Sequence, residues 1–151
     1  MAQTPDLYRV MYLSRATRPL AAGELQDLLA GARQRNEARG ISGMLCYDAG
    51  YFAQVLEGPT EQVAALMSRI ERDPRHSDLA VLSAGPVTAR YFQGWAMDWA
   101  HLDRVDDSRH AELRRYMRSH HVSERQTVYK ALLLFVEEHA GARAGAASSQ
   151  A

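Results

Sequence analysis

The spacing of apolar residues changes along the chain between a period of two and a period near 3.6, and this alternation restricts the possible folds more than any other feature. Short runs rich in branched and aromatic side chains are typical of strands, whereas apolar residues three and four positions apart are typical of amphipathic helices. Five predicted strands cover residues 7–14, 41–47, 51–57, 79–84 and 95–101. Two helices are predicted between them, one at about 23–39 and one that begins at Thr60, the expected N-cap, and ends before Asp73.

This order of elements, β-α-β-β-α-β-β, indicates an α+β fold. It is the split βαβ order of a ferredoxin-like sheet with an added strand. Two helices would cover one face of the sheet, and the other face would lack a cover. The first and third strands are usually neighbours in such a sheet, so segments 7–14 and 51–57 are expected to pair.

The C-terminal part of the chain could supply the missing cover. Residues 107–120 and 123–139 have the pattern of two further helices, and Ser123 with Gln126 predicts a capping box in the second. Its segment Ala131–Val136 is apolar on too many sides for a lone surface helix, so it must cover the bare sheet face, contact a partner chain, or do both. The chain therefore divides into a domain at 6–101, a helical extension at 102–139 and an Ala-, Gly- and Ser-rich tail at 140–151 that is expected to be disordered.

Composition excludes several classes of protein. The 151 residues include 18 basic and 18 acidic side chains, so the chain lacks the net positive charge typical of proteins that bind nucleic acid or anionic lipid. No signal peptide and no apolar run near the roughly 18 residues of a membrane span is apparent, which favours a cytoplasmic location. The single cysteine, Cys46, is expected to be a buried strand thiol. The histidines lack the spacing of metal ligands, so no metal site is predicted.

Two polar side chains stand where the pattern requires apolar ones. Asn36 lies in the middle of the apolar stripe of the first helix. Gln54 shares a strand face with Phe52 and Leu56, and Tyr12 on the neighbouring strand is placed to bond it. Burying an amide without a partner costs about 1–3 kcal/mol. Two interpretations follow: structural hydrogen bonds within the protein, or a polar cluster that faces a planar heterocycle between the sheet and the helices.

A second polar group gathers where the second helix ends: Arg72, Asp73, Arg75 and His76. One interpretation is a solvated helix terminus, where basic side chains interact favourably with the helix dipole. The other is a site for ribose, phosphate or a ring edge at the mouth of a pocket. The sequence contains no glycine-rich phosphate loop and no serine-centred nucleophile elbow.

Together, five stretches of the chain resemble the BLUF domain, a flavin-binding sensor of blue light. The resemblance covers about residues 6–101, and the run from Phe52 to Gly58 is its most specific part. The matching stretches are Leu7–Ser14, Arg35-Asn36 with Gly40–Gly43, Gly50–Gly58, Arg72–His76 and Phe92–Met97.

The resemblance implies roles for individual residues. Tyr12 corresponds to the photoactive tyrosine, which donates an electron and a proton to the excited flavin. Gln54 corresponds to the glutamine that bridges this tyrosine and the flavin, and Asn36 to the asparagine that bonds the flavin ring edge. Trp95 and Met97 correspond to strand positions whose surroundings change on illumination.

Other contacts implied by the resemblance lie near the photoactive tyrosine, the ring edge and the ribityl chain of the flavin: Ser14, Arg35, Arg72, Asp73, Arg75 and His76. Arg35 stands where the family is expected to have Asn or His. The implied cofactor is FAD, held without a covalent bond, with FMN or riboflavin as alternatives.

The resemblance implies a photoreceptor and not an enzyme. Light-driven electron and proton transfer would rearrange the Tyr–Gln–flavin hydrogen bonds, and the signal would pass to the C-terminal helices or to an unidentified partner protein. A homodimer or higher homo-oligomer is expected, without nucleic-acid or membrane partners. Two other classes stay open: a small ferredoxin-fold enzyme that binds an anionic substrate through Asn36 and the Arg72–Arg75 cluster, and a related interaction module that does not sense light.

Overall fold

The computed structural model describes residues 6–100, 108–119 and 125–149. The strands are β1 (Leu7–Ala16), β2 (Ser42–Asp48), β3 (Tyr51–Pro59), β4 (His76–Val87) and β5 (Asp98–Ala100). The helices are α1 (Ala22–Arg39), α2 (Thr60–Arg72), α3 (Ser108–Ser119) and α4 (Arg125–Ser149). Within the described residues the strands form one sheet in the order β4-β1-β3-β2-β5.

The pairing of the strands places the functional candidates at the centre of the sheet. β1 lies between β3 and β4 and is antiparallel to both, which confirms the predicted pairing of the first and third strands. In this register Tyr12 stands directly opposite Gln54. β2 is antiparallel to β3, and β5 adds to β2 as a parallel edge strand.

Helices α1 and α2 cover one face of the sheet, as predicted. Successive side chains of a strand point to opposite faces, so alternate residues of β1 belong to two different cores. Val10 and Tyr12 belong to the core beneath these helices, together with Leu29 of α1 and Val63 of α2.

Helices α3 and α4 cover the opposite face. Met11 of β1 packs there with Leu113 of α3 and Leu132 of α4, so the segment Ala131–Val136 supplies the cover that the sheet required. Cys46 is fully buried in the same core, as predicted, and burial raises the pKa of its thiol.

The fifth strand is shorter than the predicted segment 95–101. It begins at Asp98, and Trp95 and Met97 belong to the connection that precedes it. Side chains of α1 donate hydrogen bonds to the carbonyl oxygens of Ala96 and Met97, which ties this backbone to a helix. The prediction that Trp95 and Met97 lie in the fifth strand is therefore wrong; Trp95 is 40% exposed and Met97 is buried.

The ends of two helices also differ from the predictions. Thr60 is the first residue of α2 and Pro59 is its N-cap, because β3 continues to the start of the helix; the predicted threonine cap is wrong. Helix α4 includes residues 140–149, for which composition predicted disorder, and the high helix propensity of alanine offers a reason. Ser123 lies outside the described residues. None of the described helices is long and apolar enough to cross a bilayer.

Candidate functional site

A cleft opens on the sheet face that α1 and α2 cover. It contains about 630 Å³ of space free of protein atoms, including the part open to solvent. Its apolar walls are formed by Leu28, Ala32, Leu45, Phe52, Leu66 and Ile70. Its polar lining consists of Tyr12, Arg35, Asn36, Gln54, Asp73, Arg75 and His76. The fold thus brings together seven of the polar residues that the sequence analysis selects.

A buried hydrogen bond joins the two strand residues of the cleft. The hydroxyl of Tyr12 donates to Oε1 of Gln54, and both side chains are more than nine-tenths buried. Burial raises the pKa of Tyr12 well above its ordinary value, and the negative charge of Asp73 raises it further. The hydroxyl is therefore protonated at neutral pH and acts as the donor.

The second end of the Gln54 amide has a much weaker partner. Its Nε2 atom lies 3.7 Å from the thioether sulfur of Met97, and a thioether is a poor acceptor. An amide held in this way can exchange the sulfur for a stronger acceptor in the cleft at little cost. Trp95 does not line the cleft; its carbonyl oxygen accepts a hydrogen bond from the backbone N–H of Gly43 at 3.1 Å.

Asn36 lines the cleft from the last turns of α1 and is 2% exposed. Its Nδ2 donates to the carbonyl oxygen of Ala96 at 2.8 Å. This is a structural hydrogen bond within the protein, as the first of the two interpretations of Asn36 expects. Its Oδ1 accepts no hydrogen bond from any of the described residues. A buried acceptor without a partner is costly, and a ligand N–H would satisfy it.

Asp73 and Arg75 form a compact ion pair where the chain leaves α2. The guanidinium of Arg75 donates to both carboxylate oxygens of Asp73, at 2.6 to 3.0 Å, and the backbone N–H of Arg75 donates at 3.0 Å. These hydrogen bonds are the main reason that the pKa of Asp73 lies below its ordinary value. The carboxylate therefore keeps its charge and presents a fixed acceptor edge at the cleft.

His76 connects β1 to the end of α2. Its Nε2 lies against the carbonyl oxygen of Ile70, which can only accept, so Nε2 carries a proton. In the neutral ring Nδ1 is then an acceptor for the hydroxyl of Ser14 at 2.9 Å. Ser14 itself is buried and lies outside the cleft lining, so it reaches the site only through His76.

Two arginines of the predicted site occupy different positions. Arg35 lines the cleft and is exposed, and its guanidinium folds back so closely over Gly31 that a Cβ there would lie 3.0 Å from Nη1. Arg72 is exposed and does not line the cleft. The structure therefore does not group Arg72 with the other polar candidates.

Two charged residues that the sequence analysis did not select hold the backbone of the segment that leads to β5. Arg33 donates from Nε to the carbonyl oxygen of Met97 at 2.9 Å, and nothing in the helix pattern distinguishes it from other surface arginines. Glu57 is fully buried and accepts hydrogen bonds from the backbone N–H groups of Tyr91 and Phe92, at 3.0 and 2.6 Å. In the sequence, the feature that could have indicated the role of Glu57 is an acidic residue at the end of an apolar strand segment.

The cleft fits a planar heteroaromatic ring. Pockets for such ligands have apolar walls and a few polar groups that fix orientation. Here the apolar side chains of the sheet and both helices form the walls, while the Asn36 Oδ1 acceptor and the loosely held Gln54 amide provide polar contacts. A flavin, whose ring has an apolar body and an edge of alternating donors and acceptors, matches this arrangement.

Comparisons with known proteins agree with this chemistry. The family model BLUF, described as sensors of blue-light using FAD, matches residues 7–98. The photoactivated adenylate cyclase subunit alpha of Euglena gracilis is 41% identical over 102 residues, which are 66% of this chain and 10% of that protein. The beta subunit of Euglena longa is 37% identical over 105 residues, 68% of this chain and 12% of that protein. The chain thus spans about a tenth of the length of these relatives.

Solved structures show the same fold. A bacterial light-regulated adenylyl cyclase superposes with a TM-score of 0.71 and 27% identity, covering 83% of this chain and 40% of the cyclase chain. BlrB, a BLUF protein in its dark state, gives 0.67 and 26%, covering 85% of this chain and 99% of BlrB. The photo-activated state of BlsA gives 0.68 and 26%, covering 87% of this chain and 93% of BlsA.

Proposed function

The chain belongs to the BLUF family of flavin-based blue-light sensors, and we propose that it is a photoreceptor that binds FAD in the cleft beneath α1 and α2. The observation that carries the proposal is the buried Tyr12–Gln54 hydrogen bond in a cleft where the Gln54 Nε2 group has only a weak partner and Asn36 Oδ1 has none among the described residues. Such a pair can exchange hydrogen bonds reversibly and without net chemistry.

The residues that would hold the flavin occupy different parts of the cleft. Asn36 and Gln54 would offer an amide acceptor and an amide donor to the ring edge, and Arg35, Arg75 and His76 line the same cleft and would contact the rest of the cofactor. The bound flavin supplies absorption of blue light and the capacity to accept one electron. FMN and riboflavin share the ring and would fill the same part of the cleft.

Tyr12 and Gln54 carry the response. Under illumination Tyr12 would give one electron and its hydroxyl proton to a bound flavin and would recover both in the dark, so no net reaction would occur. Because the Tyr12 hydroxyl bonds Oε1 of Gln54, loss of its proton removes the donor that holds the glutamine amide. The amide could then rotate or tautomerise and offer the ring a new hydrogen bond, which would shift the absorption spectrum to the red.

Absorption spectroscopy tests the proposal directly. We expect the purified chain to be yellow and to show a reversible red shift of its flavin bands after blue light. A chain that purifies without flavin and does not take up added FAD, or one that binds FAD without a light-induced shift, would contradict the proposal.

The enzyme interpretation has less support. It placed the anionic substrate on Asn36 and the Arg72–Arg75 cluster, but the guanidinium of Arg75 is committed to Asp73 and Arg72 lies outside the cleft lining. The relatives that are cyclases match this chain over about a tenth of their length. We therefore assign the chain a sensing role, with output through its C-terminal helices or an unidentified partner protein.

Replacing Asn36 with alanine should weaken flavin binding. The substitution removes the Oδ1 acceptor from the cleft and the Nδ2 donor from Ala96, and each lost hydrogen bond is worth about 1 kcal/mol. We expect the dissociation constant for FAD, measured by fluorescence quenching, to rise about fivefold or more. Unchanged affinity together with an unchanged flavin carbonyl vibration would show that Asn36 is only structural.

Self-association is also part of the proposed function. Most of the Ala131–Val136 segment packs on the sheet, but Leu134 remains 53% exposed, and exposed apolar side chains favour an interface. We expect light scattering at micromolar concentration to give twice the mass of the chain, since symmetric dimers are the commonest assemblies. Leu134→Glu should lower this mass, and a strictly monomeric wild-type chain would contradict the prediction.

A further inference from the structure

Two consecutive residues link the cleft to the opposite face of the sheet. The sulfur of Met97 lies 3.7 Å from Nε2 of Gln54 on the cleft side. The next side chain, Asp98, belongs to β5 and points to the other face, where its Oδ2 lies 2.6 Å from Nε2 of His139 in α4. Met97, which contacts the cleft residue Gln54, and Asp98, which contacts helix α4, are therefore adjacent in the chain.

The contact between Asp98 and His139 is largely shielded from water. The side chain of Asp98 is 3% exposed and that of His139 is 23% exposed. The imidazole also stacks on Phe135, with ring centroids 5.9 Å apart and ring planes 14° apart, and Phe135 is buried in the core beneath α4. A hydrogen bond to a buried carboxylate is strong and directional, so a shift of Asp98 must either carry His139 with it or break the bond.

The backbone before Asp98 is held on the cleft side. Asn36 and Arg33 of α1 bond the carbonyl oxygens of Ala96 and Met97, at 2.8 and 2.9 Å. A change in the Gln54 amide alters the surroundings of the Met97 side chain, and the helix α1 contacts restrain the chain ahead of it. Beyond these contacts, Asp98 pairs with Met44 of β2 and also contacts α4 through His139.

We propose that the Asp98–His139 hydrogen bond couples the cleft to α4, with His139 as a positioning residue that transmits a change at Gln54 and Met97. The inference rests on the proposed photoreceptor function. It predicts that light changes the local stability of α4 and that this change depends on His139, although His139 does not line the cleft.

An ion pair at a different helix–sheet contact provides a control. Arg118 of α3 donates to Asp48 at the end of β2 at 3.0 Å, so it also links a C-terminal helix to the sheet. Neither residue lines the cleft. Loss of this pair removes another contact between a C-terminal helix and the sheet. It leaves Met97, Asp98 and His139 unchanged.

Hydrogen exchange followed by mass spectrometry tests the proposal on the full chain with FAD bound, in the dark and under continuous blue light. In the wild type we expect light to change the exchange rates of amides in residues 132–141 by about twofold or more, because local opening reports small changes in helix stability. His139→Ala should lose this light-dependent difference and keep the red shift. His139→Gln, which retains a donor near the position of Nε2, should restore part of the difference, and Arg118→Ala should keep all of it.

The outcomes separate the inference from the function on which it rests. A wild-type chain without a red shift would contradict the proposed function. A red shift without any light-dependent change in α4, or a His139→Ala variant that keeps the wild-type difference, would overturn the coupling. A purely structural role for His139 would raise exchange in the dark and in the light alike and leave their difference intact, which also counts against the proposal.

Discussion

Replacing Tyr12 with phenylalanine is expected to abolish the reversible red shift while the chain still binds flavin. Phenylalanine has no hydroxyl proton to release and is much harder to oxidise than tyrosine. The buried hydroxyl of Tyr12 bonds Oε1 of Gln54, and its raised pKa keeps the proton in place until it is required. One neutral hydrogen bond is worth roughly 1 kcal/mol, so the affinity for FAD should change by no more than about fivefold.

The light-minus-dark difference spectrum of the purified variants decides this prediction. Gln54→Leu removes the amide that must exchange hydrogen bonds. This variant should also bind flavin, but it should show no red shift after blue light. Trp95→Phe is the control, because Trp95 is partly exposed and lies outside the cleft lining; it should keep the red shift and change mainly the rate of dark recovery. A normal red shift in Tyr12→Phe or Gln54→Leu would overturn the mechanism even if the chain bound flavin.

Of the substitutions discussed, Glu57→Ala should lower the free energy of unfolding the most. The Glu57 carboxylate is fully buried and accepts hydrogen bonds from Arg9, Ser42 and the backbone of Tyr91 and Phe92. Removing one partner of a buried ion pair costs about 3–5 kcal/mol, because the remaining charge loses its compensation. The backbone N–H groups would also lose their acceptor, so we expect a marked drop in the urea midpoint measured by circular dichroism.

Two further variants separate the causes of this loss. Glu57→Gln keeps the shape but turns an NH₂ group toward some of the donors, so its midpoint should fall between those of wild type and Glu57→Ala. Glu24→Gln removes a carboxylate from an exposed pair with Arg18 and should leave the midpoint almost unchanged. A Glu57→Ala midpoint equal to that of wild type would show that the cluster does not hold the connection between β4 and β5 in place.

The polar cleft residues were the most predictable part of the site. Asn36 and Gln54 break a helical and a strand period, respectively, and such breaks are visible without any structure. The same periods place Tyr12 and Gln54 on one sheet face once their strands are neighbours, as they are in the structure. Arg33 gave no such signal, because an arginine on the outer side of a helix is ordinary.

The sequence by itself determined the order of the elements, the two faces of the sheet and the polar residues between sheet and helices. These features follow from the local periodicity of side chains, which is the same wherever an element packs. The predicted strand at 95–101 began too early, because side chains of α1 bond the backbone just before β5 and no period within that segment encodes these contacts.

Only the tertiary structure decided how the connection between β4 and β5 returns to the sheet. In the sequence Glu57 is the acidic residue at the end of a predicted strand, and in the structure it is a buried anchor for the backbone N–H groups of Tyr91 and Phe92, more than 30 positions away. The Asp98–His139 contact has the same origin, across 41 positions. A charged side chain looks alike in the sequence whether it meets water or a distant partner, since its burial depends on chain segments that pack against it only in the folded state.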